Sequence, residues 1–291
     1  MDIRTMEYYL AVVREGNISG AAEALHVAQP SLSRQMRELE EELGTSLFIR
    51  GNRKIILTAE GKVLKKRAEE MLTLMQRTEE EISPVKNNIT GPIRIGAGES
   101  RVFHYISMAA ASIIKQHPEI TVNVKSADST ELLEEIDAGL IDFAVIFSDA
   151  DDTIYQSVDL PAMDHYGLLL RKDDPLAKRK NISFEDLIGR DVIVSKGASR
   201  HFKEDLLSKL NVKATYNLAY NASILVEDGL GIALCFDNIV DTSKESPLTF
   251  VPLTPEVTCG ATLIWKRYQV LSPAVKLFAD KIVEVINKDS L

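Results

Sequence analysis

The stretch from Ile18 to Leu43 constrains this chain more than any other. Its first part carries Ala21, Ala22 and Leu25 at helical spacing, small enough for another helix to approach closely, and Ser19 is placed to cap it. After His26-Val27-Ala28, Pro30 fits only the first turn of a second helix, where its missing N–H leaves no bond unmade. Behind it Leu32, Met36, Leu39 and Leu43 keep one face apolar, while Gln29, Pro30, Ser31, Ser33, Arg34 and Arg37 stand at the start and on the other face. A helix held by one side and offering amide, hydroxyl and guanidinium groups on the other is the shape that reads a DNA major groove.

The next segment supports that shape. Leu47-Phe-Ile-Arg50 and Arg53-Lys-Ile-Ile-Leu57 flank Gly51-Asn52, a pair suited to the positive φ of a hairpin turn. Arg50, Arg53 and Lys54 gather at its tip, a basic wing aimed at phosphates or the minor groove. Residues 5–14 supply a preceding helix, with Tyr8, Tyr9, Ala11, Val12 and Val13 as core.

Six blocks now stand in order: Met6–Gly16, Ala21–Leu25, Gln29–Arg34, Leu39–Gly44, Leu47–Arg50 and Leu57–Gly61. Together they resemble the winged helix-turn-helix of the LysR-type transcriptional regulators, and the layout of the remaining chain is similar to that family throughout. The resemblance implies an N-terminal all-α winged helix-turn-helix with a long linker helix. A C-terminal α/β, two-lobed domain of the periplasmic-binding-protein type (type II) would follow. It also implies a homodimer or homotetramer on an interrupted inverted repeat of double-stranded promoter DNA, and RNA polymerase as a partner.

Charge sets a condition on that reading. Lys and Arg number 34 against 43 Asp and Glu, a net charge of −9, which argues against indiscriminate nucleic-acid binding. Residues 1–58 are themselves one unit negative, so Arg34, Arg37 and the wing must be sorted toward DNA, with the acids of Glu38–Glu42 away from it. The first thirty residues carry acids and no long apolar run, and no segment approaches a membrane span, so a cytoplasmic location without membrane contact is expected. Cys235 and Cys259 form no CxxC pair and read as reduced thiols; a disulfide switch between them is the rival reading.

From Thr58 to about Ile82, Leu64, Ala68, Met71, Met75, Thr78 and Ile82 repeat at four and three, a heptad seam for pairing with a second chain. Pro84–Pro92 reads as a hinge. Beyond it, strands and helices alternate: Ile93–Gly96, Ser100–Gln116, Ile120–Ser126, Ser129–Ala138 and Phe143–Ile146, then a second set from Tyr166 to Cys235. This pattern predicts parallel sheets with right-handed crossovers. The second set comprises strands at Tyr166–Arg171, Val192–Val194, Lys213–Leu218 and Gly231–Cys235, with helices at Phe184–Ile188, His201–Leu210 and Asn221–Asp228. Thr262–Trp265 is a further strand and Pro273–Asn287 a closing helix. The expected domains are 1–58 (DNA binding), 59–90 (linker helix and hinge) and 91–291 (effector binding). Lobe I of the last covers 91–161 and 267–291, lobe II 162–266, with crossings near 150–164 and 265–270.

A ligand in such a fold sits at the carboxyl ends of the strands. Helix starts at Gly98–Ser100, Asp128–Thr130, Gly197–Ser199 and Asn221–Ser223 offer backbone N–H groups and hydroxyls there, which favours a small anionic effector such as a carboxylate. The candidate contacts are Ser100, Arg101, Ser129, Thr130, Phe147, Ser148, Ser199, Arg200, His201, Asn221 and Ala222. For Ser100, Thr130 and Ser199 the resemblance also implies an effector contact. Phe236 is a further candidate, though the family often reads Leu-Pro where this chain has Cys235-Phe236. No nucleophile elbow, Walker loop or metal-ligand spacing among the five histidines is present, so neither an enzyme nor a cofactor or metal is expected. Gly229-Leu-Gly231 reads as a helix stop.

Overall fold

The first helix, α1 (Ile3–Glu15), begins where Asp2 accepts the Thr5 N–H at 2.7 Å and stops at Gly16, whose φ of 67° suits glycine. In this computed structural model, residues 1–50, 55–82, 89–197, 202 and 204–289 are described. They fall into two compact units, Met1–Pro84 and Val85–Leu291.

In the first unit, α2 (Ile18–Ala24) is capped by Asn17, whose side chain accepts the Gly20 N–H at 2.7 Å. Ser19 therefore lies inside the helix, not at its cap: Asn17 is in extended backbone one residue before the first helical turn, where an acceptor is needed. α3 (Gln29–Leu43) carries Pro30 in its first turn and buries Leu32, Met36 and Leu39. Each such side chain contributes about 1.5–3 kcal/mol by leaving water. β1 (Phe48–Arg50) and β2 (Ile55–Leu57) pair antiparallel, Phe48 opposite Leu57. The turn at Gly51-Asn52 lies outside the described residues.

The long helix α4 (Ala59–Ile82) changes the reading of the heptad seam. Leu64 and Ala68 are buried in the unit's own core with Tyr9, Leu39 and Leu47, and Met71 packs against it. Gly61 seats the helix: its carbonyl accepts the Tyr9 hydroxyl at 2.6 Å, and a Cβ there would lie 2.2 Å from the Leu47 carbonyl oxygen. Only the later part of the seam is exposed, at Met75, Thr78 and Ile82, with Leu74 beside it. A four-three repeat cannot distinguish packing on one's own domain from packing on a second chain.

The second unit is built on one long strand, β6 (Tyr155–Arg171). Its first part pairs antiparallel with β11 (Thr258–Lys266), and from Tyr166 onward it pairs with β9 (Ile232–Phe236) and β10 (Leu248–Pro252). On one side β11 continues to β5 (Phe143–Ile146), β3 (Gly91–Ala97) and β4 (Ile120–Ser126); on the other β9 continues to β7 (Asp191–Ser195) and β8 (Asn211–Tyr216). The β3–β4, β3–β5, β7–β8 and β7–β9 pairs are parallel, as the alternating pattern requires. The crossings between lobes are therefore strands, not loops, and the second falls within β11 near Gly260–Thr262 rather than at 265–270, since Leu263 and Trp265 already pack in the first lobe's core. The apolar–polar mixture of Gln156–Asp164 reads as a connection in sequence, yet its backbone bonds are satisfied by β11. β10 is likewise a strand that the sequence pattern passes over.

α5 (Phe103–Gln116) and α9 (Pro273–Asp289) cover one face of the first lobe, burying Phe143 against Trp265 and Phe278 at ring separations of 5.8 and 4.9 Å. α6 (Ser129–Asp137) covers the other face. In the second lobe a short helical turn, α7 (Glu204–Leu207), precedes β8, and α8 (Ala219–Glu227) packs on Leu169, Ile193 and Ala233. α8 ends in a Schellman stop: Gly229 has φ 84° and the Leu230 N–H reaches back to the Leu225 carbonyl. The Gly229-Leu-Gly231 stretch is thus a helix end.

Candidate DNA-reading face and effector cleft

On the N-terminal unit, Gln29, Pro30, Ser31, Arg34 and Arg37 are exposed and Ser33 is half-buried, all on the side of α3 away from its core. The Arg34 guanidinium bonds Glu38 one turn on at 2.7 Å, and Arg37 donates to the Ser33 carbonyl at 3.3 Å. The expected segregation of acids is thus incomplete: Glu38 stands beside Arg34, because residues four apart share a helix face. Glu40 does turn inward, accepting the Leu47 and Phe48 N–H groups at 2.7 and 3.3 Å, which fixes the start of the wing against α3. Arg53 and the side chain of Arg50 lie outside the described residues.

On the C-terminal unit a cavity of about 100 Å³ opens where the parallel strands end. Gly98 and Glu99 follow β3, Ala127–Ser129 follow β4, Phe147 follows β5, Ser195–Gly197 close β7, Asn217 follows β8 and Phe236 closes β9. Strand ends from both lobes thus converge on one cleft, the place where α/β sheets hold ligands. Its apolar wall is a run of rings, Phe147 to Phe236 at 5.4 Å and Phe236 to Tyr166 at 4.5 Å, backed in the second lobe's core by Phe202, 4.8 Å from Tyr166.

The structure brings only some of the candidate residues to this wall. Ser129 and Phe147 line it, and the Ser129 hydroxyl accepts the Phe147 N–H at 3.2 Å. Phe236 lines it too. Ser100 stands next to the wall in a turn, since α5 begins only at Phe103, and its hydroxyl is donated to Asp164. Arg101 reaches toward Asp237, with Nη1 3.8 Å from the carboxylate. Thr130 is exposed on α6, and Ser148 is half-buried past β5; neither is in the wall. α8 starts at Ala219, two residues before the predicted Asn221, which leaves Asn221 exposed and Ala222 buried against the sheet. Ser199, Arg200 and His201 lie outside the described residues.

Several groups were not singled out in sequence. Glu99 lines the cleft and accepts the Ala219 N–H at the start of α8. Asp128 caps α6, taking the Thr130 and Glu131 N–H groups at 2.9 and 3.1 Å. Of the helix starts that suggested an anion site, those of α6 and α8 are therefore already met by the chain's own carboxylates. Lys196 stands in the wall as a cation, and Tyr166 and Tyr216 as large rings. Asp164 is fully buried; burial pushes its carboxyl above the ordinary range, against the pull of the Ser100 and Arg101 bonds. No local sequence pattern marks it, because the stretch around Asp164 mixes apolar and polar residues. Burial pushes the Cys235 thiol up to about 12 and Cys259 to about 11, so both are protonated at neutral pH, which removes the thiolate a disulfide switch needs.

Among the described residues no group of three or more His, Cys, Asp or Glu is placed to hold a metal ion, and no helix is long and apolar enough to cross a membrane. Residues 3–62 match the bacterial regulatory helix-turn-helix protein family, lysR type, and residues 86–287 match the LysR substrate binding domain. The chain belongs to the LysR family of transcriptional regulators. LysR regulators are DNA-binding proteins with an effector-binding domain, not enzymes. Full-length similarity extends to the uncharacterized HTH-type transcriptional regulator YybE of Bacillus subtilis, 26% identical over 97% of this chain and 98% of that protein. BsdA of the same organism is 36% identical over half of each chain. The LysR-family regulator CbnR has the same fold, with a TM-score of 0.72 at 20% identity over 98% of this chain and 99% of CbnR. CbnR has also been solved with its target DNA, and that structure superposes with a TM-score of 0.70 over 98% of this chain and all of CbnR.

Proposed function

We propose that this LysR regulator binds an interrupted inverted repeat in promoter DNA. Gln29, Pro30, Ser31, Ser33, Arg34 and Arg37 lie along the major groove, and Arg50 and Arg53 on the wing side. Supporting this, the exposed polar face of α3 stands opposite a buried apolar one. Pairing of two chains uses the exposed end of α4, around Leu74, Met75 and Ile82, and a second pairing of effector domains makes a tetramer. The working division of the chain is 1–58 for DNA, 59–90 for pairing and hinge, and 91–291 for the effector. The protein acts in the cytoplasm, where its bound effector alters DNA bending and thereby recruitment of RNA polymerase.

The effector is a small molecule held between lobe I and lobe II, and the observation that carries this is the convergence of both lobes' strand ends on one cavity. A carboxylate or other small anion fits the Lys196 ammonium and the Ser129 hydroxyl, with its apolar part on Phe147 and Phe236. A thermal-shift screen of the full chain against carboxylates, amino acids, nucleotides and sugar phosphates tests it. A ligand at 100 times its Kd adds about 2.7 kcal/mol of stability. A hit abolished by Ser129→Ala or Phe147→Ala supports the cleft; a hit untouched by both overturns it. A hit confined to amines overturns the anionic assignment alone.

A further inference from the structure

Three consecutive residues leaving β3 each reach beyond their own lobe. Glu99 accepts the backbone N–H of Ala219, 120 residues away at the start of α8 in the second lobe. The Ser100 hydroxyl is donated to Asp164 on the shared strand β6, and the Arg101 N–H to the other oxygen of that carboxylate at 3.2 Å. The Arg101 guanidinium lies 3.8 Å from Asp237, just past β9, and Asp237 itself accepts the His165 N–H at 3.3 Å. Gly98 lets this loop lie flat on the Phe147 ring, since a Cβ there would come within 2.8 Å of it.

We propose that Glu99-Ser100-Arg101 is an interlobe clasp, in which Ser100 anchors the loop to β6 while Glu99 and Arg101 hold the second lobe against the first and set how often the cleft opens. The division of labour follows from burial. Asp164 is fully buried, so the Ser100 bonds are shielded and persistent. Glu99 and Arg101 are exposed, so water competes for their bonds and they make and break readily. A ligand approaching the start of α8 meets the Glu99 carboxylate first. The clasp deepens the effector-cleft reading and rests on it only for that last consequence.

Cys235 reports on the clasp, because it lines the cleft and is buried there. The experiment is the rate at which N-ethylmaleimide modifies Cys235 in the full-length protein at neutral pH, assigned by peptide mass spectrometry. Glu99→Ala is expected to raise that rate about tenfold, as losing one charge-assisted bond shifts an opening equilibrium, and Arg101→Ala about twofold, since its ion pair with Asp237 is looser and exposed. Glu99→Gln, whose amide oxygen still accepts, falls between, and it carries the test if the alanine variant folds poorly. The rate is followed across urea, with the unfolding transition measured alongside. Unchanged rates in the Glu99 and Arg101 variants overturn the clasp, as does a labelling rate that climbs with urea as steeply as global unfolding does, because the thiol is then reached through unfolding rather than through opening of the cleft, which exposes little surface. No ligand takes part, so either result leaves the effector-cleft reading standing.

Discussion

The two candidate sites of this regulator are assembled in opposite ways. The DNA-reading face comes from one helix, and its bonds run between near neighbours: Arg34 to Glu38, Arg37 to Ser33, Glu40 to the start of β1. The cleft comes from segments scattered between Gly98 and Ile239, with bonds such as Ser100 to Asp164 and Glu99 to Ala219. A local site is specified by one amphipathic stretch and tolerates change elsewhere. A composite site depends on every core beneath it, so a defect far from the cleft disorders it.

The strongest test of that contrast is Phe143→Ala. Phe143 is fully buried against Trp265 and Phe278 in the first lobe, and its loss costs about 3–5 kcal/mol. Urea unfolding followed by Trp265 fluorescence, the chain's single tryptophan, reads the fall. Cleft ligands should be lost with it while α3 still binds DNA; loss of DNA binding at denaturant levels below that transition breaks the contrast.

The converse is Gly61→Ala, which sets a Cβ against the Leu47 carbonyl and costs about 1–3 kcal/mol in the N-terminal unit. Reduced DNA affinity in an anisotropy titration with unchanged ligand shifts is the expected pair of results. Arg34→Ala gives a smaller effect. The slope of log Kd against log salt for promoter DNA should fall by about one unit. Glu38→Gln, which releases Arg34 from its intrahelical partner, should strengthen DNA binding.

The smallest effect is a pH dependence. Burial holds Asp164 above its ordinary value of 3.8, so the folded state binds this proton more tightly than the unfolded state does. As pH falls from neutrality through the raised folded value toward 3.8, the group adds stability. In Asp164→Asn that gain is absent, and the difference in urea midpoint between the two proteins shifts in favour of the wild type as pH falls. A difference constant with pH would show that Asp164 is not desolvated.

The contrast also explains what sequence could deliver. The helix-turn-helix was legible because Leu32, Met36 and Leu39 repeat on a 3.6-residue period and their partners are near in the chain. In the second unit the parallel strands were legible as short apolar runs alternating with helical stretches, a pattern that implies parallel pairing though the partners lie tens of residues apart. Ser129 and Phe147 were found because they sit at strand ends, where the fold class itself points. Glu99 and Asp164 were not, since their partners are 120 and 64 residues away and no local pattern announces them. The start of α8 was placed late because Leu218 offers no capping side chain; the carboxylate that serves it comes from the other lobe.

The burial of Leu64 and Ala68 in their own unit carries one more consequence, of phase. The first turns of α4 cannot rotate without turning α3, so the helix is a crank fixed to the DNA-reading face. Each residue along it adds about 1.5 Å of reach and about 100° of turn. One residue inserted between Met71 and Met75 leaves every contact of the recognition helix intact and still swings it a quarter-turn relative to the exposed end. Whatever grips that end steers the hand that reads the DNA.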